Sequence, residues 1–200
     1  MLKNIIFDFG DIFINLDKTA TVRKMTHYGF SEVTTEMDHL FKSYEKGLMA
    51  NETFLNQIQS LFPKATKHDL INAWNAILLD FPESRLLFLE EFARKDQYRL
   101  FLLSNTNDLH ITWVRQQLGG QKFERFKKCF EKFYLSHEIH LRKPDPEIYE
   151  FVMTENNLVA DETFFVDDTK ENTDAASALG IRTWNLKVGK QDITELELFL

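Results

Sequence analysis

Apolar positions along the chain fall into two kinds of pattern. Short runs rich in β-branched and aromatic residues recur at Asn4–Phe7, Tyr98–Leu103, Lys132–Leu135, Thr163–Val166 and Ile181–Asn185, and each predicts a buried strand. Amphipathic stretches with helical spacing separate most of them. Strands alternating with helices predict an α/β domain built on a mainly parallel sheet covered on both faces. Between about Leu16 and Phe81 no strand pattern occurs, and helical patterns follow one another. Within that block Phe54, Leu55, Ile58, Leu61 and Phe62 share one helical face after Asn51, a candidate N-cap, and Pro63 stops the run. A second helix is predicted over Ala65–Leu78, with Leu70, Ala73, Trp74 and Ile77 along one stripe. Core-type segments flank the block on both sides. It is therefore expected to be an insertion, giving a core over residues 1–15 and 84–200 and a helical module over residues 16–83.

Composition narrows the class without changing that outline. Two hundred residues suffice for one α/β core carrying a smaller module, and nineteen phenylalanines predict an aromatic core. The formal net charge of −7, with no run of Lys or Arg longer than two, sets a mean field that repels nucleic acid. A small phosphorylated metabolite remains compatible, because one metal ion and one lysine can make a local positive pocket in an acidic protein. A single cysteine, Cys129, excludes an intrachain disulfide and a thiolate metal cluster. The N-terminus lacks the basic-then-apolar signature of a signal peptide, and the apolar stretches fall far short of the ~20 residues a membrane span needs. A cytoplasmic protein with no membrane partner, a monomer or homodimer, is the expectation.

In an open parallel sheet the ligand site lies beyond the carboxyl ends of the strands. Four such ends carry reactive side chains here: Asp8, Ser104-Asn105, the loop holding Lys143, and Asp167-Asp168. Each alone reads as a turn or cap residue. Together they supply a nucleophile, a hydroxyl with amide donors, a cation and a carboxylate pair, which are the parts phosphoryl transfer needs. Asp8 with Asp167 and Asp168 would offer hard oxygen ligands to Mg²⁺.

The segments Asp8-Phe9-Gly10-Asp11-Ile12, Leu102-Leu103-Ser104-Asn105-Thr106-Asn107, Arg142-Lys143-Pro144-Asp145-Pro146-Glu147-Ile148-Tyr149 and Phe165-Val166-Asp167-Asp168 with Asn172 resemble, in order and spacing, the four motifs of the haloacid dehalogenase superfamily. The resemblance spans essentially the whole chain. It is strongest to the bacterial branch similar to α-D-glucose-1-phosphate phosphatase, which also carries Gly two residues after the nucleophile. A Rossmann-like three-layer α/β/α core with an inserted helical cap of the C1 type is implied. So are a nucleophilic Asp8, phosphoryl oxygens held by Ser104 and the Asn105 amide, and a neutralising Lys143. Phe9 and Gly10 join the phosphate-binding set. Mg²⁺ would be held by Asp8, Asp167, Asp168 and the Gly10 carbonyl, with Asn172 either supporting the metal site or capping a helix. The expected activity is Mg²⁺-dependent hydrolysis of small phosphomonoesters, sugar phosphates above all, through an aspartyl-phosphate.

Most phosphatases of this superfamily carry a second Asp, a proton donor and acceptor, at the position Gly10 occupies. Asp11, one residue on, is the expected substitute if its loop turns it inward. His140 stands where the branch usually has Gly, and it either points outward with His137 nearby or narrows the entrance. Glu45, Tyr44 and Trp74 are the cap residues expected to matter, with Trp74 more simply read as module core. Three rival readings follow. A 2-haloacid dehalogenase also attacks through this Asp and needs no metal, but it leaves the adjacent acids Asp167-Asp168 without a cation. A receiver-type phosphoacceptor would present its acidic pair first in chain order. A catalytically weak binding or regulatory protein would keep the fold after losing the acid.

Overall fold

The computed structural model describes all 200 residues. Five strands, β1 (Asn4–Phe7), β2 (Arg99–Ser104), β3 (Lys132–Leu135), β4 (Thr163–Asp167) and β5 (Arg182–Asn185), form one sheet in the order β3-β2-β1-β4-β5, and every neighbouring pair is parallel. The central strand β1 is buried at all four positions, which is why its sequence is an unbroken apolar run after Asn4. Side chains alternate across the sheet. Ile5, Phe7, Leu100, Leu102, Phe164 and Val166 enter one apolar layer with α5 (Glu83–Arg94), α6 (Asp108–Leu118) and α7 (Gly120–Lys127). Ile6, Phe101, Leu103 and Phe165 enter the other, with α9 (Pro146–Glu155) and α10 (Lys170–Ala178); α8 (Ser136–Ile139) is a single turn after β3. The fold is thus a three-layer α/β/α core.

The phenylalanines are structural. Phe7, Phe13, Phe126 and Phe130 pack edge-on or tilted, with centroids 5.1–6.1 Å apart, in the larger layer. Such geometry adds to the roughly 1.5–3 kcal/mol that each fully buried large apolar side chain contributes.

Four helices lie between β1 and α5: α1 (Ala20–Met25), α2 (Thr35–Glu45), α3 (Asn51–Leu61) and α4 (Lys67–Trp74), the last followed by a 3₁₀ turn at Asn75–Ile77. They gather a separate apolar cluster around Phe54, Leu40, Ile58, Leu70 and Ala73. Thr34 caps α2 through the Met37 amide, and Thr66 with Asp69 forms a capping box on α4. The two connections to the core run side by side as a short antiparallel pair: Leu79 N donates to Asn15 O (2.9 Å) and Asp17 N to Ile77 O (2.8 Å). Two details differ from the sequence reading. Asn51 is the first residue of α3 and Ala50 precedes it without a side-chain cap; the Asn51 amide instead bonds Asp108 across to the core (2.6 Å). The helix expected over Ala65–Leu78 starts at Lys67, after the capping box, and tightens to 3₁₀ at Asn75.

Candidate active site

Because the sheet is parallel and β1 lies at its centre, the residues following β1, β2 and β4 emerge together at one edge. Asp8 leaves β1, Asn105 leaves β2, Asp167 ends β4, and Asp168 follows it. The loop before α9 adds Lys143 from the side. Lys143 is 1% exposed, and its ammonium donates to Asp8 Oδ1 (2.7 Å) and Asp167 Oδ2 (2.6 Å). Carboxylate oxygens of Asp8, Asp167 and Asp168 lie within 4.8 Å of one another.

Each charged group is held by neighbours. Asp167, fully buried, accepts from the Asn172 amide at both oxygens (3.1 and 3.0 Å) and from Thr169 N (2.8 Å). Asn172 therefore sits inside the first turn of α10, facing Asp167, and is not the helix cap; that position belongs to Thr169. Asn105 fixes Lys143 through its side chain: its Nδ2 donates to Lys143 O and its Oδ1 accepts from Lys143 N, both at 2.8 Å. Sequence reasoning assigned only the Asn105 backbone, because a reciprocal amide pair between residues 38 apart leaves no local signal. Asp168 accepts from Lys18 (2.5 Å), which also pairs with Asp11 (3.2 Å); Lys18 was not singled out from sequence, since a lysine at a linker reads as solvated.

Burial, opposed by Lys143 and reinforced by Asp167 and Asp168, pushes the Asp8 carboxyl up to about 7. Burial alone would lower Lys143, but Asp167 and Asp8 more than offset it and hold the ammonium above its ordinary value. Asp8 and Asp167 share the buried Lys143 ammonium, while Asp168 pairs with the half-exposed Lys18, which Asp11 also uses; four carboxylates thus face two ammonium groups, and the cluster is short of positive charge. Hard oxygen donors short of positive charge are what a Mg²⁺ ion requires, so Asp8, Asp167 and Asp168 fit that ion in donor type and number.

A cavity of about 390 Å³ opens over this cluster, lined by Asp8, Gly10, Leu16, Lys18, Asn105, Arg142, Lys143, Pro144, Asp168, Thr169, Glu171 and Asn172. Other expected residues are placed differently. Ser104 is buried behind the cavity wall, with a long 3.5 Å contact to the Asn105 carbonyl. Phe9 turns its ring into the core, against Phe81 and Phe126, which leaves only its backbone for a ligand. Asp11, expected as substitute acid if turned inward, does not line the cavity. At φ 54° its carboxylate accepts from Leu16 N (2.9 Å) and pairs with Lys18, bracing the turn.

Gly10 lines the cavity, and a Cβ there would sit 2.8 Å from Leu16 Cδ1. Leu16 thus fills the space that a second acid would enter. In the helical module Tyr44 stacks on Phe54 (3.8 Å) in the interior, whereas the half-buried Trp74 packs against Phe41 and Phe54 on one side and His110 of α6 on the other. Glu45 alone of the three reaches the cavity wall, through Arg142 (3.1 Å). His140 is exposed and its Nδ1 donates to the Lys46 carbonyl (2.8 Å), fastening the helical module to the core; His137 is half-buried next to Gly47.

Comparison with known proteins fixes the family. The model of the haloacid dehalogenase-like hydrolases matches residues 5–186. The chain belongs to that family. It is 27% identical over 206 aligned residues to D-ribitol-5-phosphate phosphatase of Bacteroides thetaiotaomicron, covering 100% of this chain and 99% of the relative. A haloacid dehalogenase family enzyme of the same organism, an Asp-to-Ala variant in complex with magnesium and inorganic phosphate, superposes with a TM-score of 0.85 at 33% identity over 100% of both chains. A HAD-like family hydrolase of Porphyromonas gingivalis superposes with a TM-score of 0.83 at 25% identity, covering 100% of this chain and 98% of the other. No helix is long and apolar enough to cross a membrane.

Proposed function

We propose that this hydrolase is a Mg²⁺-dependent phosphatase that cleaves small polar phosphomonoesters through an aspartyl-phosphate on Asp8. The observation that carries the proposal is the Asp8–Lys143–Asp167 arrangement beside Asp168: one nucleophile, one ammonium and a cation-deficient carboxylate set at a single cavity. The magnesium and phosphate bound by the superposing Bacteroides enzyme support the same chemistry. Asp8, Asp167 and Asp168, with the Gly10 carbonyl, would hold Mg²⁺. When bound, the ion would supply positive charge against the phosphoryl oxygens.

The remaining steps belong to the chain's own residues. Lys143 favours the ionised form of Asp8 against the burial that raises its pKa, and it offsets the charge of the incoming phosphate. An Asp8 carboxylate oxygen forms a bond to phosphorus as the ester P–O bond breaks, and the departing alkoxide takes a proton. Water then adds to phosphorus, the bond to Asp8 breaks, and the carboxylate is restored with release of phosphate. The Asn105 side chain holds the Lys143 backbone, which leaves the Asn105 backbone amide for the phosphoryl oxygens, and Asn172 holds Asp167. Asp11, engaged with Leu16 N and Lys18, acts by shaping the turn. Leaving-group protonation then falls to solvent, which favours esters of the more acidic alcohols; an acid of this kind is typically worth about 10²–10⁴-fold.

Leu16 and Pro144 are the only apolar side chains on the cavity wall, which suits a hydroxyl-rich substrate such as a sugar or polyol phosphate. The dehalogenase alternative finds less support here, because nothing in that metal-free reaction relieves the crowding of Asp8, Asp167 and Asp168 within 4.8 Å of one another. Phosphate release from a panel of phosphorylated metabolites and p-nitrophenyl phosphate, with Mg²⁺ and with EDTA, tests the proposal. Turnover that needs Mg²⁺ and is lost in Asp8→Asn is expected. Activity of Asp8→Asn within tenfold of the parent would refute it.

A further inference from the structure

The cavity wall carries one ion pair that the chemistry above does not use. Arg142 precedes Lys143 and lines the cavity, and its Nε and Nη2 both lie 3.1 Å from Glu45 Oε2. Both side chains are sheltered, 17% and 27% exposed. Glu45 is the last residue of cap helix α2, so a cap carboxylate neutralises a core guanidinium at the edge of the site.

Its placement does not depend on the pair itself. Ser136 Oγ donates to the Glu45 carbonyl (2.6 Å), His140 donates to the Lys46 carbonyl (2.8 Å), and Lys46 pairs with Asp145 (2.8 Å). Gly47, at φ 64°, lets the backbone pass so close to the His137 carbonyl that a Cβ would lie 2.0 Å from that oxygen. The end of α2 is therefore clamped to the core, and the Glu45 side chain is delivered to Arg142 with little freedom to leave.

Three cations line the cavity: Lys18, Arg142 and Lys143. Lys143 is engaged by Asp8 and Asp167, and Lys18 by Asp11 and Asp168. Arg142 would be the cation left for a second anionic group on a substrate, and Glu45 takes it. A carboxylate arriving at Arg142 meets Glu45 as a like charge, whereas a hydroxyl can donate to Glu45 and accept from Arg142.

We propose that Glu45 is a specificity-determining residue: by neutralising Arg142 it selects phosphate esters whose far end is an uncharged polyol, and it rejects those ending in a carboxylate or a second phosphate. The inference rests on the phosphomonoesterase activity proposed above.

Matched substrates test it. Glycerol 3-phosphate and 3-phosphoglycerate differ only in a terminal hydroxymethyl against a carboxylate, and ribitol 5-phosphate and ribonate 5-phosphate form the same pair at five carbons. The parent is expected to favour the neutral member of each pair in kcat/KM. Glu45→Gln, which keeps the shape and removes the charge, raises the acid-to-neutral ratio at least tenfold in one pair or both, chiefly through KM. Arg142→Gln leaves Glu45 without a counterion and lowers the ratio at least threefold. If Glu45 only docks the cap, its loss slows both members alike; ratios within twofold of the parent for both variants would overturn the proposal. If the parent hydrolyses none of the four esters, the activity assigned above fails. The selectivity is then decided by dissociation constants of the same four compounds, measured by calorimetry on parent and variants with the same thresholds.

Discussion

The ammonium of Lys143 lies 2.7 Å from the Asp8 carboxylate although 135 residues separate the two, and it reaches Asp167 with the same group. Removing it leaves Asp8 and Asp167 without a counterion in a buried site. Lys143→Met is expected to lower stability by about 3–5 kcal/mol in EDTA, the usual consequence of breaking a buried pair from one side. Mg²⁺ should return part of that loss, and phosphatase activity should fall at least about 10²-fold. Urea unfolding with and without Mg²⁺ checks the stability claim. A variant within 1 kcal/mol of the parent in EDTA would show that the cluster does not need the ammonium.

Leu16 must turn its side-chain end aside for a carboxyl to enter at Gly10. Gly10→Asp brings a Cβ to 2.8 Å from Leu16 Cδ1, so the single substitution is expected to reduce activity by displacing Leu16. Combined with Leu16→Ala, the new carboxyl gains room beside Asp8. The double variant should then hydrolyse alkyl phosphates about tenfold faster relative to p-nitrophenyl phosphate, whose leaving group hardly needs a proton. An unchanged ratio of the two rates would count against solvent as the proton source in the parent.

Metal removal should be visible in stability as well as in turnover. A Mg²⁺ concentration about 100 times its Kd adds about 2.7 kcal/mol to a protein that binds it only when folded, a rise in Tm of roughly 5–10 °C at this chain length. Asp168→Ala should abolish the shift, since it removes one of the three carboxylates within 4.8 Å. An identical shift in that variant would place the ion elsewhere.

The sheet and the strand-end chemistry were legible because each rests on local pattern: Ile5-Ile6-Phe7 must be buried on both faces, and Asp8 follows at once. Asn105, Lys18 and Arg142 were not legible in their observed roles. Their partners lie 38, 150 and 97 residues away, and hydrogen bonds at such separations depend on how helices and loops dock. The capping of α3 was misread by one residue, because Asn at a helix start suits either the cap or a tertiary bond, and Asp108 decided for the second. Asp11 pointed to chemistry by its neighbourhood alone, and the left-handed backbone that turns it toward Leu16 N has no signature in residue type.

His110 offers a pH dependence of known sign. It is half-buried and stacked on Trp74, its Nε2 donates to the Trp74 carbonyl (3.1 Å), and the Asn107 amide donates to its Nδ1 (3.1 Å). Burial lowers its pKa to about 4, against an ordinary 6.5, despite the bond to Trp74 O. Between those values the unfolded chain takes up a proton that the folded protein refuses. The His110 contribution is therefore complete above pH 6.5 and is lost as pH falls toward 4. Tm should decline across that window, and His110→Gln should flatten the decline while costing about 1–2 kcal/mol at pH 7.5. Parallel curves for the two proteins would remove His110 as the cause.

The central claim is that Asp8 carries the phosphoryl group during turnover. Acid quenching during hydrolysis, followed by borohydride, converts an acyl phosphate to homoserine, which peptide mass spectrometry locates. Homoserine at position 8 is expected with substrate and Mg²⁺ together and not with either alone, and it should be absent in Asp8→Asn. Brisk turnover with position 8 recovered only as unmodified aspartate would contradict it.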